Sequence, residues 1–399
     1  MKNSLITKWL RAGTFAKCLG TLSVLLTLLT TVTVSAQGPI IFSTMPMVNQ
    51  RVVTRFNLAN FERIRLSRSA LSCQFMPECD PGCGDYGFEG DSDYVDETTI
   101  RGQYASACQP ACGPCMTTAY MPCFGGGSFW FHNYGDFVTQ QERYGLAGYH
   151  ADSYGLSLGC DLWRTQASVF GVAAGGAFSE AKARQSDEKC DTDSFLVSLY
   201  GDTRIGVWNL AGSIGYVHSS FETNRSSWDD GEERLFSKHR GDTVFGSFEI
   251  TSAVMQNAFS ITPFLSYDFI KMKEKGYGEV PTDTVDDVLT MNNRSSTSYL
   301  QTLGLRYEKA YYDSGWLIQP SVSAGWLHDY GQRRITTRGV LDGDAFSYKG
   351  TVMGKNRFVM SLGVRASLDN RTSLFVRYDG EYNYHYNAQT VQFGFGLGY

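Results

Sequence analysis

The chain closes on VQFGFGLGY, residues 391–399, where Val391, Phe393, Phe395, Leu397 and Tyr399 share one parity and Gln392, Gly394, Gly396 and Gly398 share the other. Successive side chains of an extended strand point to opposite faces, so one face of this segment is large and apolar while the other is nearly bare. A half-buried strand of a water-soluble sheet has no need of so much glycine. The pattern raises the question of which solvent lies on each side.

The same alternation runs back through the second half of the sequence. Leu374, Val376, Tyr378, Tyr382, Tyr384 and Tyr386 oppose Arg377, Asp379, Glu381, Asn383 and His385, and Phe358, Met360, Leu362, Val364 and Leu368 oppose Ser361, Gly363, Arg365 and Ser367. Trp208, Leu210, Ile214 and Tyr216 oppose Asn209, Ala211, Ser213 and Gly215. A soluble sandwich alternates too. Here, however, aromatic residues mark both limits of each apolar segment, and the segments run to about ten residues, the length that crosses hydrocarbon on a slant. Backbone groups in lipid must all be paired, so such strands have to close into a barrel.

The pattern predicts strands over 128–141, 149–163, 166–180, 193–205, 207–221, 240–255, 258–273, 296–311, 315–330, 355–369, 372–386 and 388–399. Twelve is an even number, as a closed antiparallel bacterial barrel requires. WRTQA, RIGVW, MQNAF, YDSGW and DNRT make tight turns, whereas the linkers around 181–192, 222–239, 274–295 and 331–354 are long and polar. Short turns on the periplasmic side and long loops outside are the sidedness of an outer-membrane barrel. The hairpin-like stretch 331–354 belongs to an external loop, because counting it as a spanning strand spoils the parity.

Composition agrees with this reading. The chain has 42 Gly, 23 Tyr and 25 Phe against 10 Pro, which favours strands and tight turns. A net charge of −5 argues against a nucleic-acid partner, which would want a basic face. No cofactor motif stands out. Lys2, Lys8, Arg11 and Lys17 precede the apolar run LGTLSVLLTLLTTVTV, and Val34-Ser35-Ala36 offers a small-residue cleavage site before Gln37. Residues 1–36 therefore read as a signal peptide handed to the Sec pathway, with cleavage between Ala36 and Gln37.

GYHADSYGLSLGCDLWR, FGVAAGGAFSEAKA, VSLYGDTRIGVWNLAGSIGYVHSSFETNR and QPSVSAGWLHDYG, in this order before a terminal strand ending on an aromatic, resemble the translocator β-domain of autotransporters, the type V secretion proteins. The resemblance spans residues 128–399. It implies a twelve-stranded barrel embedded in outer-membrane lipid that lets an N-terminal passenger reach the cell surface. It also implies that the barrel-assembly machinery recognises the last strand through Val391, Phe393, Phe395, Leu397 and Tyr399.

The departure from the family lies upstream. Typical members carry a long passenger and a linker helix threading the pore, whereas residues 37–127 here form a short cysteine-rich passenger or plug region. Residues 49–71 place Val53, Phe56, Phe61, Ile64 and Leu71 at loosely helical spacing among many arginines, which suits either a pore-threading helix or an ordinary surface segment. Cys73, Cys79, Cys83, Cys108, Cys112, Cys115 and Cys123 then crowd a Gly-, Pro- and Asp-rich stretch. In an exported chain these read first as a disulfide-stapled module, with one thiol left over. Cys190, placed in a long external loop, is the candidate partner for the odd thiol, and Cys160 reads as a small lipid-facing side chain.

Other chemistries compete less well. Cys112-Gly113-Pro114-Cys115 spells a thioredoxin-like redox pair without the strand–turn–helix that acidifies the first thiol, and Cys108, Cys112, Cys115 and Cys123 would suit a metal knuckle only in a reducing compartment. Gly90-Asp91-Ser92 echoes an esterase motif in a segment too short for that fold. His218 and Ser220, on one lipid-facing parity, resemble the His-x-Ser pair of a membrane-facing hydrolase; His328-Asp329 reads as a solvated strand end. Arg306, Arg365, Arg377, Asp379 and Glu381 fall on the lumen face, where they either line a translocation pore or brace the wall as charge pairs. The function expected is therefore a non-enzymatic outer-membrane barrel that exports or displays its N-terminal module to a surface ligand the sequence does not identify. The alternatives are a structural or solute-conducting barrel and a lipid-facing hydrolase.

Overall fold

The computed structural model describes residues 40–71 and 128–398, apart from 144–145, 166, 228–232, 253, 257–258, 283–286, 332–334, 342, 351–352 and 369–371. Among the described residues, twelve long strands follow one another as a meander: β1 (Phe129–Gln140), β2 (Tyr149–Arg164), β3 (Ser168–Ala183), β4 (Lys189–Ile205), β5 (Trp208–Ser226), β6 (Arg234–Ser252), β7 (Phe259–Glu274), β8 (Arg294–Lys309), β9 (Trp316–Asp329), β10 (Asn356–Leu368), β11 (Thr372–Asn383) and β12 (Tyr386–Leu397). Each pairs antiparallel with its neighbours, and β1 pairs with β12 from Phe129↔Leu397 to Gln140↔Tyr386, so the sheet closes on itself and leaves no open edge.

The outer surface carries the oil-facing parity. Leu156, Leu158, Val197, Leu199, Ile214, Leu303, Leu305, Leu362, Val364 and Val376 are all exposed. On β8, Tyr299 and Tyr307 bracket Leu303 and Leu305, an aromatic at each limit of the apolar band. At one end Phe129, Trp163, Phe170 and Trp208 stand out from the wall; nearer the other stand Tyr154, Phe178, Phe195 and Trp326.

The terminal strand answers the puzzle of its glycines. Val391 and Phe393 face outward, while Gln392, Gly394 and Gly396 are buried on the inner side. A Cβ on Gly394 would lie 2.1 Å from Cε1 of Phe375, an inward-pointing ring on the neighbouring strand. The bare face thus gives room to aromatic side chains filling the interior, and Gly159 does the same for Trp130, whose Cε2 would lie 2.2 Å from an added Cβ. Gly394→Val should cost about 1–3 kcal/mol by overpacking. The loss is read from the folded, heat-modifiable fraction on gels, and Phe375→Ala in the same chain should restore part of it. Tyr399 lies outside the described residues.

The strands outrun the predicted limits at one end. β3 reaches Ala183, β4 starts at Lys189, β5 reaches Ser226 and β6 starts at Arg234. There the outward side chains change from apolar to charged: Lys189 meets Glu180 at 2.6 Å and Asp191 at 3.0 Å, and Lys238 pairs with Glu222. The apolar run measured the hydrocarbon thickness, and the ladder continues into water beyond it. The same end carries the long connections, including a small separate sheet of Tyr277–Gly278, Leu289–Met291, Thr336–Leu341 and Asp344–Lys349, which contains the expected hairpin. Arg225 ties this cap down, meeting Glu279 at 2.7 Å and Asp287 at 3.0 Å. Burial lifts the Glu279 carboxyl above its ordinary range against the pull of Arg225. The opposite end has short connections from Arg164 to Ser168, from Ile205 to Trp208 and from Asp313 to Trp316, the last closing a ladder of Tyr311–Asp313 onto β9.

Two cysteine readings need correction. Cys190 is not in a loop: it lies on β4 opposite Thr223 and points inward into a cluster with Met45, Met47, Tyr149, Phe221 and Met272, where it is a free, buried thiol. Continuation of the ladder past the hydrocarbon puts it there, and its burial removes it as partner for an outside thiol. Cys160, on β2 opposite Phe129, is disulfide-bonded, and its partner lies outside the described residues. Cys73, Cys79, Cys83, Cys108, Cys112, Cys115 and Cys123, together with Ala36 and Gln37, also lie outside the described residues.

Candidate functional site

The interior is occupied. Residues Ile40–Leu71 form one helix, α1, in the same compact unit as the strands. It contains no glycine, and Pro46 is its single backbone breaker. A helix in water hides one stripe and wets the rest. Almost every described side chain from Thr44 to Arg63 is buried instead, polar and apolar alike. Such a helix is stable only if the surrounding wall supplies partners on every side.

The wall does so level by level. At the long-loop end, Met45, Met47 and Val48 join Val138, Tyr149 and Tyr386 in an apolar cluster. Just below, Asn49 donates to Thr243 of β6 at 2.8 Å, and Ser298 of β8 donates to Gln50 at 3.0 Å. Arg51 forms ion pairs with Asp136 of β1 and Glu381 of β11, while Arg55 Nε meets Asp136 at 3.2 Å. In the middle, Val52, Val53, Phe56 and Ala59 pack with Trp130, Tyr134, Leu196 and Phe245, the rings of Phe56 and Phe245 edge-on with centroids 6.2 Å apart. Ser213 of β5 donates to Asn57 at 2.9 Å, and Asn60 donates to Ser198 of β4 at 3.0 Å.

At the short-turn end one pairing inverts and two keep the pattern of helix cation on wall carboxylate. Glu62, now on the helix, accepts Arg377 of β11, with Arg365 of β10 at 3.4 Å. Arg63 Nε meets Asp161 of β2 at 3.3 Å, and the same carboxylate accepts Tyr200 at 2.6 Å, whose hydroxyl takes the Trp130 indole N–H at 2.8 Å. Arg65 meets Glu249 of β6 at 2.9 Å, with Arg306 of β8 at 3.7 Å from the same group.

All five lumen residues picked from the sequence project inward, and they meet through the helix. Arg365 and Arg377 converge on Glu62, Arg306 shares Glu249 with Arg65, Asp379 lies 2.8 Å from Arg377, and Glu381 holds Arg51 and is 3.0 Å from Arg357. Sequence reasoning missed Asp136, Asp161 and Glu249, the carboxylates that receive the helix arginines. Asp136 shares the inward parity of Trp130, His132 and Tyr134, a signal that was available. The candidate hydrolase pair behaves differently: His218 Nδ1 meets Asp242 of the next strand at 2.9 Å, and Tyr216 donates to that carboxylate as well.

A closed barrel of twelve strands whose lumen holds a helix defines the class of protein, and comparison with known proteins places the chain within it. The model of the autotransporter β-domain matches residues 129–379, and the chain belongs to that family, whose barrels reside in the bacterial outer membrane. It is 23% identical over 255 residues to an extracellular serine protease of Serratia marcescens, covering 62% of this chain and 24% of that one. It is 22% identical to outer membrane protein B of Rickettsia rickettsii, covering 62% and 16%. The chain thus spans a quarter or less of the length of these relatives. Among solved structures, the translocator domain of the autotransporter NalP from Neisseria meningitidis superposes with a TM-score of 0.57 at 15% identity, covering 76% of this chain and 96% of that one. The β-domain of the Bordetella autotransporter BrkA gives 0.51 at 16% identity, covering 69% and 100%.

Proposed function

We propose that this protein is a type V translocator barrel holding its pore-threading helix in place, with the chain that precedes Ile40 emerging at the cell surface. The observation that carries this reading is the direction of α1. Its N-terminal turns meet Tyr149, Tyr386 and Arg294 at the long-loop mouth, and Arg63 meets Asp161 at the short-turn mouth. With long loops outside and short turns in the periplasm, the helix N-terminus faces outward. Sec export and recognition of the terminal strand by the barrel-assembly machinery are the partners this reading requires. An epitope inserted at Gly38 should be reached by antibody on intact cells; recognition only after the outer membrane is permeabilised overturns the reading.

One observation favours a second reading, a hydrolase facing the lipid: Asp242 sits where it could orient His218 beside Ser220. Phospholipid hydrolysis by the purified barrel that disappears in Ser220→Ala is its required result.

A further inference from the structure

The cysteine-rich segment lies between α1 and β1, and the structure fixes where the chain leaves one and enters the other. Arg63 bonds Asp161, whose backbone N–H is held by the carbonyl of Ser128 at 3.1 Å. Arg63 and the first described residue before β1 therefore sit at the same level, at the short-turn mouth. From Arg63 the helix runs eight more residues to Leu71, about 12 Å further in the direction away from the long loops. Exit and re-entry are at one mouth.

We infer that residues 72–127 are held in the periplasm, so that the protein is an outer-membrane anchor for a periplasmic cysteine-rich module and does not display that module outside. The inference rests on the orientation proposed above. Reach is not what confines the segment, since 56 extended residues could span roughly 190 Å. Obstruction is. To surface, the segment would have to pass up the lumen and return, two further backbones beside a helix about 10–12 Å wide. That helix already touches β1, β2, β4, β5, β6, β8, β10 and β11 through Asp136, Asp161, Ser198, Ser213, Glu249, Ser298, Arg365 and Glu381. The composition suits the aqueous side of the rim: eight acidic residues against Arg101 alone make the segment a poor occupant of lipid.

The test places one epitope at Gly90 and another at Gly343, in the turn of the external hairpin, in full-length protein whose barrel is shown to be folded by heat-modifiable migration. On intact cells the antibody should reach the Gly343 epitope and miss the Gly90 epitope, and permeabilising the outer membrane should expose the latter. If both are reached on intact cells, the inference is overturned while the orientation stands. If the hairpin epitope is hidden on intact cells, the orientation fails and the inference with it.

Discussion

Asp161→Ala should destabilise the folded protein by about 3–5 kcal/mol, because it leaves the Arg63 guanidinium buried without its carboxylate. Both side chains are almost completely shielded, with 5% and 2% exposure for Arg63 and Asp161. The substitution also removes the acceptor of the Tyr200 hydroxyl, so the bond from Trp130 to Tyr200 loses its anchor. The measurement is the unfolding midpoint in detergent, followed by the change in gel mobility. Pairing Asp161→Leu with Arg63→Met should recover much of the loss, since an apolar pair of similar volume carries no stranded charge. A midpoint unmoved by Asp161→Ala would mean that the helix is not seated in this lock.

Leu303→Arg should cost about 2–4 kcal/mol, the penalty of a cation at the bilayer midplane on a lipid-facing position. Leu303 is 56% exposed and lies between the two aromatic limits of β8. Phe178→Arg, also outward but at the level of the girdle near the long loops, should cost about 0–1 kcal/mol. The gradient with depth is the signature of oil on the outside. A barrel in water would tolerate both substitutions, because each places a charge in solvent. Folding yield into liposomes and the urea midpoint report the difference.

The barrel was legible because its strands face two solvents. Strict period-two alternation, with aromatics at its limits, fixed which side chains of β8 or β12 meet lipid before any packing was known. What the pattern records is the hydrocarbon, not the ladder, and so it starts β4 four residues late and leaves Cys190 in a loop. The helix was half legible. Val53, Phe56 and Phe61 suggested it, but with Asn49, Gln50, Arg51, Asn57 and Asn60 also buried there is no stripe for periodicity to find. Residues 40–48, which carry Pro46, lie ahead of the predicted segment 49–71. Its partners were hidden more deeply, since Arg51 reaches Asp136 and Glu381, which lie 85 and 330 residues away in sequence. Long-range charge pairing of this kind has no local signal. The direction of α1, on which the sidedness of residues 72–127 depends, follows only from which wall residue meets which turn.

Single-channel recording in planar bilayers tests the occupied lumen most directly. The intact protein should be silent or pass only small currents, and deletion of residues 40–71 from an otherwise folded barrel should give large, stable conductance steps. Equal conductance from the intact and deleted proteins would contradict a lumen filled by α1.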